Sequence, residues 1–378
     1  MDYIVRDNSV LTGKKNLEPL YVFRDFPVFM GCTDQMDQTT DIKADMSFAI
    51  CRDTGIIHLD KLLPLDLVYQ SQHNDGIGKI WQDHYLAFSK FLETFSPRKI
   101  LEIGGANDFI ANDFLSRNSD ARWIVVEPHP LFDGNEKIQI IKKWFDASFS
   151  LDEKVDTVVH SHVLEHTYAP VEFIEHVARF LNNGERHIFT FPNMTEMLSK
   201  KYTNCLNFEH TAFLAEPFVD TLLERSGFRI LKKEYFQDHS IFYATERVAD
   251  SDRSKKELPN KYEEYKKLFT DFIQYHEDLV ASLNQKIHDF DGEVYIFGAH
   301  IFSQYLLEFG LDQSRIKCIL DNSQLKNKKR LYGTGLIVEN PEVIRGVEKA
   351  CVILKIGSYR EEVMKQLKEL NANVTILE

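Results

Sequence analysis

Between residues 98 and 247 the chain alternates short apolar runs with stretches whose apolar residues recur every three or four positions. "RKILEIGG", "ARWIVVEP", "VDTVVHSHVLEH" and "RHIFTFPN" each carry a compact block of branched or aromatic residues, the mark of a strand buried on both faces. "DFIANDFLSR", "PVEFIEHVARFLNNG" and the first half of "PFVDTLLERSGFRILKKEYF" keep helical spacing. This alternation predicts a parallel sheet with helices on both faces, and "DHSIFYATER" suits an antiparallel edge strand. A charged segment punctuated by Pro259, residues 248 to 261, reads as a linker. Beyond it Tyr265, Phe269, Phe272, His276, Leu279, Leu283 and Ile287 mark one amphipathic helix about 40 Å long. A second α/β unit follows in "GEVYIFGAHIFSQYLLEFG", "IKCILDNS", "ACVILKIGS" and "ANVTILE". Upstream, residues 1–75 hold β-like runs between polar turns, and Ile80, Trp81, His84, Phe88, Phe91 and Leu92 then mark a helix.

This pattern fits a chain of 378 residues divided into a lobe at 1–75, a first α/β domain at 76–250, and a linker helix with a second Rossmann-like domain at 251–378. Charged residues make up 27% and the net charge is −13, so a nucleic-acid partner is not expected. The five scattered cysteines suit a reducing compartment, and no apolar run reaches membrane length; a cytoplasmic protein without membrane contact is expected. It is expected as a monomer or small homo-oligomer.

The chemistry gathers where the first strand ends. Gly104 and Gly105 lack the Cβ atoms that would hold a ligand off the backbone, and Asn107 continues the turn. A pyrophosphate-binding turn wants G-x-G-x-x-G, and "GGANDF" lacks the third glycine. S-adenosylmethionine, which carries no phosphate, fits better. Glu127 closes the next strand 23 residues after Gly104, where a carboxylate accepts from both ribose hydroxyls. Asp146 in "FDAS" is placed for the adenine amino group with Phe145 beside the ring, and acidic Glu102 inside an apolar strand suits a cationic ligand. His160 and His162, alternating at a strand end, are expected to reach the cofactor. His160, His162 and His166 have no accompanying carboxylate pattern, so no metal is expected.

"LEIGGAND", "VVEP", "FDAS" and "VVHSHVLEH" resemble successive motifs of class I S-adenosylmethionine-dependent methyltransferases. With "YQSQHNDGIGKIWQDHY", "NFEHTAF" and "IFGAHIFSQYLL…ILDNS", the whole chain is similar to the three-part sugar C-methyltransferases, which act on nucleotide-linked sugars. The resemblance implies a class I Rossmann-like core, a small N-terminal β-rich lobe and a second C-terminal Rossmann-like domain. It also implies a zinc-bearing lobe, yet only Cys32 and Cys51, with His58, stand in that region, and no zinc is expected. The family's catalytic Y-H-E-H loop corresponds to Asn207, Phe208, Glu209 and His210. His210 is the expected general base, oriented by Glu209. Tyr69, Gln72, His73 and His84 are expected to line the acceptor pocket or close over the cofactor.

Asn207 in place of tyrosine favours O-methylation of a sugar hydroxyl, for surface-polysaccharide assembly, over C-methylation of a keto-deoxysugar. The second Rossmann-like unit offers Asp321, Asn322, Gly357 and Ser358 at strand ends for the nucleotide sugar, or buttresses the first. An NAD-dependent nucleotide-sugar oxidoreductase and a non-catalytic binding protein are the rival classes.

Overall fold

The computed structural model describes residues 2–69, 78–355 and 360–378. The N-terminal lobe is an antiparallel sheet of β1 (Leu17–Pro27), β2 (Lys43–Cys51) and β3 (Ile57–Leu59), packed through Phe23, Phe26, Met46, Phe48 and Ile50. Helix α1 (Lys79–Glu93) follows the segment outside the described residues and buries His84, Phe88, Phe91 and Leu92 on the face the sequence pattern marks.

The central sheet consists of β4 (Lys99–Ile103), β5 (Arg122–Val126), β6 (Ile138–Ile141), β7 (Thr157–Ser161), β8 (Arg186–Pro192), β9 (Phe228–Phe236) and β10 (Ser240–Arg247). Its spatial order is β9-β10-β8-β7-β4-β5-β6, with β10 antiparallel to both neighbours and β4 to β8 parallel. Helices α2 (Phe109–Arg117), α3 (Pro170–Phe180) and α4 (Glu216–Arg225) make the crossovers. The sheet is a Rossmann-like α/β core with an antiparallel hairpin, β9 and β10, at one edge. Strand β6, "IQII", alternates weakly and lies at the sheet edge, which is why its pattern is faint in the sequence. The order changes direction at β4, and the crevice at the carboxyl ends of β4, β5 and β7 is the ligand-binding position of such a sheet.

Helix α5 (Tyr262–Asp289) is the spine between the two α/β units. Its first half buries Tyr265, Phe269, Phe272 and Ile273 in the core shared by lobe and central sheet; its second half buries Val280, Leu283 and Ile287 against the C-terminal unit. That unit is an all-parallel sheet of β11 (Glu293–Phe297), β12 (Ile316–Leu320), β13 (Val338–Glu339), β14 (Ala350–Leu354) and β15 (Thr375–Leu377), in the order β13-β12-β11-β14-β15. Helices α6 (Ile301–Glu308) and α7 (Arg360–Leu370) flank it. Lobe and C-terminal unit meet through Cys32–Thr33 paired with Arg330–Leu331, and through a buried ion pair of Arg330 with Asp41. No helix among the described residues is long and apolar enough to cross a membrane.

Candidate active site

Four carboxylate and imidazole side chains from two loops converge beyond the carboxyl end of the central sheet. After β7 the chain passes through His162 and a short turn, Leu164–His166, bringing Glu165 and His166 inward. After β8 and the helix Met194–Ser199 comes the loop 203–213, with Glu209 and His210. Thr211 N–H donates to Glu165 O at 3.0 Å and the Thr211 hydroxyl to Thr167 O at 2.6 Å, so the two loops are laced together. The ligand-capable atoms of Glu165, His166 and His210 lie within 4.8 Å of one another.

The two other parts of the chain hold the second loop in place. Leu59 N–H donates to Thr211 O and Phe213 N–H to Ile57 O, adding the loop to the lobe's sheet edge. The Arg6 guanidinium donates to Thr211 O at 2.9 Å and to Tyr168 O at 2.7 Å. From α6, the buried Tyr305 hydroxyl donates to Leu206 O at 2.8 Å. Arg6 and Tyr305 carry no local sequence signal; only the tertiary fold reveals them.

His210 is ordered for one tautomer. Its Nδ1–H donates to Cys205 O at 3.0 Å, so the lone pair sits on Nε2, and burial holds its pKa below the ordinary imidazole value. The Tyr69 hydroxyl and His166 Nδ1 share a hydrogen bond of 3.0 Å, and a Glu209 carboxylate oxygen lies 3.5 Å from the same nitrogen. Burial, then the charge of Glu165, pushes Glu209 up to about 7; burial also raises Glu165 and lowers His166 to about 4. Burial raises Tyr69 well above the ordinary phenol, so it keeps its proton. The cluster thus pairs an uncharged base with a proton-holding phenol and a carboxyl that titrates near neutrality. The sequence reading names His166 only as a metal candidate and does not single out Glu165; the "LEH" following β7 carries the signal for both.

Other candidate residues have protein partners of their own. Asn207 is a turn former: its buried Oδ1 accepts from the N–H groups of Glu209 and His210, each at 2.8 Å, so it does not stand in for a catalytic tyrosine. Glu102 faces the protein interior, where its Oε2 accepts from the Trp123 indole N–H at 2.7 Å. His160 is fully buried, its Nε2 3.0 Å from His187 Nε2 and its ring stacked on Phe189. Phe145 packs its ring into Phe149, Phe173, His176 and Phe180. Asp146 is exposed and caps a turn, accepting from Ser148 N–H and hydroxyl.

His84 and His162 do not reach across the cofactor turn; they come together with His239, which the sequence reading did not single out. Their neighbours touch that turn: Tyr85 reaches Asn107, and Val163 covers Gly104. Asp321 is engaged by Ala299 N–H, Ser323 N–H and Lys326, and Asn322 forms a reciprocal amide pair with Gln366. Gln72, His73, Gly357 and Ser358 lie outside the described residues.

At the cofactor turn, Gly104 has φ +75° and donates its N–H to Val126 O, while Asn107 Oδ1 accepts from Phe109 N–H at the start of α2. A Cβ on Gly104 would meet Val163 Cγ2 at 2.6 Å, and one on Gly105 the Glu102 carboxyl carbon at 2.8 Å. The two glycines therefore let the turn close over its own neighbours. Glu127 stands at the end of β5 with its Oε1 accepting from His129 N–H at 2.8 Å, and burial raises its pKa.

Residues 76–233 match the family model of a methyltransferase domain, and residues 235–376 match that of a C-methyltransferase C-terminal domain. The chain carries a methyltransferase domain followed by a C-methyltransferase C-terminal domain. Among solved structures it is similar to an O-methyltransferase family protein from Burkholderia thailandensis at 14% identity and TM-score 0.38, over 44% of this chain and 56% of that one. The match thus spans little more than half the length of that relative. It is also similar to the N-methyltransferase NodS from Bradyrhizobium japonicum WM9 in complex with S-adenosyl-l-homocysteine, at 15% identity and TM-score 0.35, over 47% of this chain and 94% of that one. No curated protein matches the chain in sequence.

The residues of this methyltransferase fit its cofactor at one point above all. Glu127 is a largely buried carboxylate at a strand end beside a left-handed glycine turn, and a ribose diol is the partner that would compensate its desolvation.

Proposed function

We propose that this methyltransferase acts on a nucleotide-linked sugar, placing the methyl group on a ring carbon next to a ketone. The observation that carries the reading is His210: an uncharged imidazole whose Nδ1–H is fixed by Cys205 O and whose ring belongs to a cluster with His166 and Glu165. Such a ring accepts a proton from a carbon acid, whose electron pair then moves onto the ketone oxygen. The Tyr69 hydroxyl, bonded to His166, and the protonated form of Glu209 are the donors for that oxygen. When bound, the cofactor supplies an electrophilic methyl group and leaves as S-adenosyl-L-homocysteine. Glu127 would hold its ribose at the tip of β5.

Asn207 weighed for oxygen as the acceptor only so long as it replaced a catalytic tyrosine; as a turn former it leaves Tyr69, His166 and Glu209 available to an enolate. The match of residues 235–376 to a C-methyltransferase C-terminal domain favours the same acceptor. O-methylation of a sugar hydroxyl, needing only the base and alignment, is the second reading. In either case the product suits surface-polysaccharide assembly.

The test is incubation with methyl-labelled cofactor and a panel of nucleotide sugars in keto and reduced forms, followed by mass spectrometry and NMR. Label on carbon, from keto forms only, is expected. Label on oxygen, or equal turnover of reduced sugars, would overturn the carbon assignment.

A further inference from the structure

Beside the catalytic cluster stands a second group of side chains that the proposed chemistry leaves unused. His84 comes from α1, His162 from the residue after β7, and His239 from the turn joining β9 to β10. One nitrogen from each lies within 4.8 Å of the other two. We propose that these three histidines bind a divalent transition-metal ion of the zinc and cobalt class.

Three imidazoles with an open fourth position form a familiar zinc-binding set, and nitrogen ligands select zinc, cobalt, nickel or copper over magnesium or calcium. Bond lengths near 2.0–2.1 Å put neighbouring ligand nitrogens about 3.4 Å apart in a tetrahedron, so the rings must draw in by an ångström or so. The surroundings already hold them. His162 Nδ1 lies 3.1 Å from Glu165 Oε1, a carboxylate buried to 1% exposure, which leaves the lone pair on Nε2. A carboxylate behind the far nitrogen is the usual support of a metal-binding histidine. His162 is also held at φ +54°, a conformation rare outside glycine and asparagine.

The hydroxyls nearby supply the other polar contacts. Ser240 Oγ lies 2.9 Å from His162 Nε2 and 2.5 Å from His239 Nδ1, and Thr190 Oγ1 lies 3.3 Å from His84 Nε2. Ser240 or a water would complete the shell. His84 is fully buried, and among the described residues its Nδ1 has no hydrogen-bond partner. Ser240 is shared by His162 and His239 and Thr190 meets His84 alone, so the buried nitrogen is left unsatisfied, which is costly. The other ligand-capable set, Glu165, His166 and His210, contains the proposed base, whose lone pair an ion would occupy. An ion on the first trio would instead fix His162 and, through it, Glu165 at the edge of the catalytic cluster.

Trp81 packs its ring 4.7 to 5.6 Å from all three imidazoles and serves as the reporter. The experiment strips the full-length protein with a chelator and titrates it with Co²⁺ and then with Zn²⁺. One equivalent of Co²⁺ per chain is expected to give the intense visible absorption of a four-coordinate site and to quench Trp81 fluorescence, with Zn²⁺ reversing both. The Trp81→Phe variant should keep the absorption and lose that quenching. His239→Gln, at a half-buried turn, should weaken Co²⁺ binding by about 100-fold or more, since loss of supporting groups alone costs 10- to 100-fold. His84→Asn is the second variant, and circular dichroism checks that each is folded. Failure of the wild-type protein to bind Co²⁺, binding undiminished in both histidine variants, or loss only in His210→Ala would overturn the proposal. The titration needs no acceptor, so its outcome is separate from that of the sugar assay.

Discussion

Glu102 gives the sharpest energetic prediction, because its environment penalises one protonation state and leaves the other at ease. The carboxyl is 3% exposed, and burial pushes its pKa from 4.5 to about 7 even though the Trp123 indole N–H donates to it. Below pH 4.5 it is protonated in folded and unfolded chains alike and contributes no pH dependence. Between pH 4.5 and about 7 the unfolded chain releases the proton and the folded chain retains it, so stability falls as pH rises. Above that window the full cost remains, about 3 kcal/mol for a displacement of this size. Glu102→Gln removes the ionisation and keeps a carbonyl oxygen for the indole. The variant should therefore gain on the wild-type protein as pH rises from about 5 to about 8, by about 3 kcal/mol at most. At a little over 1 °C per kcal/mol in a chain of this size, Tm measured by calorimetry should separate by up to about 4 °C. The fluorescence of Trp123, bonded to the group that titrates, gives a second readout. A difference between the two proteins that is constant across pH would refute the reasoning: the carboxyl would then be ionised in the fold, held by a charge or solvent that this environment lacks.

Other residues give equally direct tests. Asn207→Ala strands two N–H groups and should destabilise the loop by about 2–4 kcal/mol, lowering kcat with little change in cofactor affinity by calorimetric titration, while Asn207→Asp, which keeps the acceptor, should hold the fold. Tyr305→Phe leaves Leu206 O without its buried donor; the loss of stability by denaturant titration should be about 1–3 kcal/mol, and kcat should fall although the residue lies outside the cluster. Arg330→Met breaks an ion pair in which both side chains are 1% exposed and should cost about 3–5 kcal/mol by denaturant titration, with Asp41→Leu in the same chain restoring part of it. Because His210 is active only when uncharged and burial lowers its pKa, kcat/KM should hold as pH falls past 6.5 and decline only below it; an acid limb above 6.5 would exclude it as the base.

The sheet was legible in the sequence wherever strands are buried on both faces. β4, β5, β7 and β8 read as unbroken apolar runs because both faces carry helices, and the glycine turn after β4 announced itself by composition. β6 was missed because an edge strand of four residues needs only one buried side chain, Ile138, to hold its place. Side-chain direction was the least legible feature. Glu102, His160 and Phe145 occupy positions that a motif assigns to the cofactor, yet each points into protein, toward Trp123, His187 and Phe149 respectively. A motif fixes which residue stands at a strand end; which face it uses depends on neighbours far away in sequence. Asn207 shows the same limit differently, since its role is set by two N–H groups of its own loop rather than by the residue it was compared with.

That limit explains why the catalytic chemistry was partly readable and its scaffold was not. Histidine and glutamate are uncommon enough in apolar loops that "NFEH" stands out unaided, whereas the groups that aim His210 are ordinary in type and distant in sequence. Arg6 acts from the lobe through Thr211 O and Tyr168 O, Tyr305 from the C-terminal unit through Leu206 O, and Cys205 O from the loop itself by accepting the His210 Nδ1–H. None of these contacts touches the reacting atoms, yet each removes a freedom the loop 203–213 would otherwise have. A base must lie within about 3 Å of the proton it takes, and small misplacements are costly in rate. The lobe and the C-terminal unit therefore restrain one loop, and with His210 as the proposed base this restraint would contribute to turnover. Lobe or C-terminal substitutions that loosen this grip should lower kcat before they affect Glu127 and the cofactor turn, which belong to the central sheet alone.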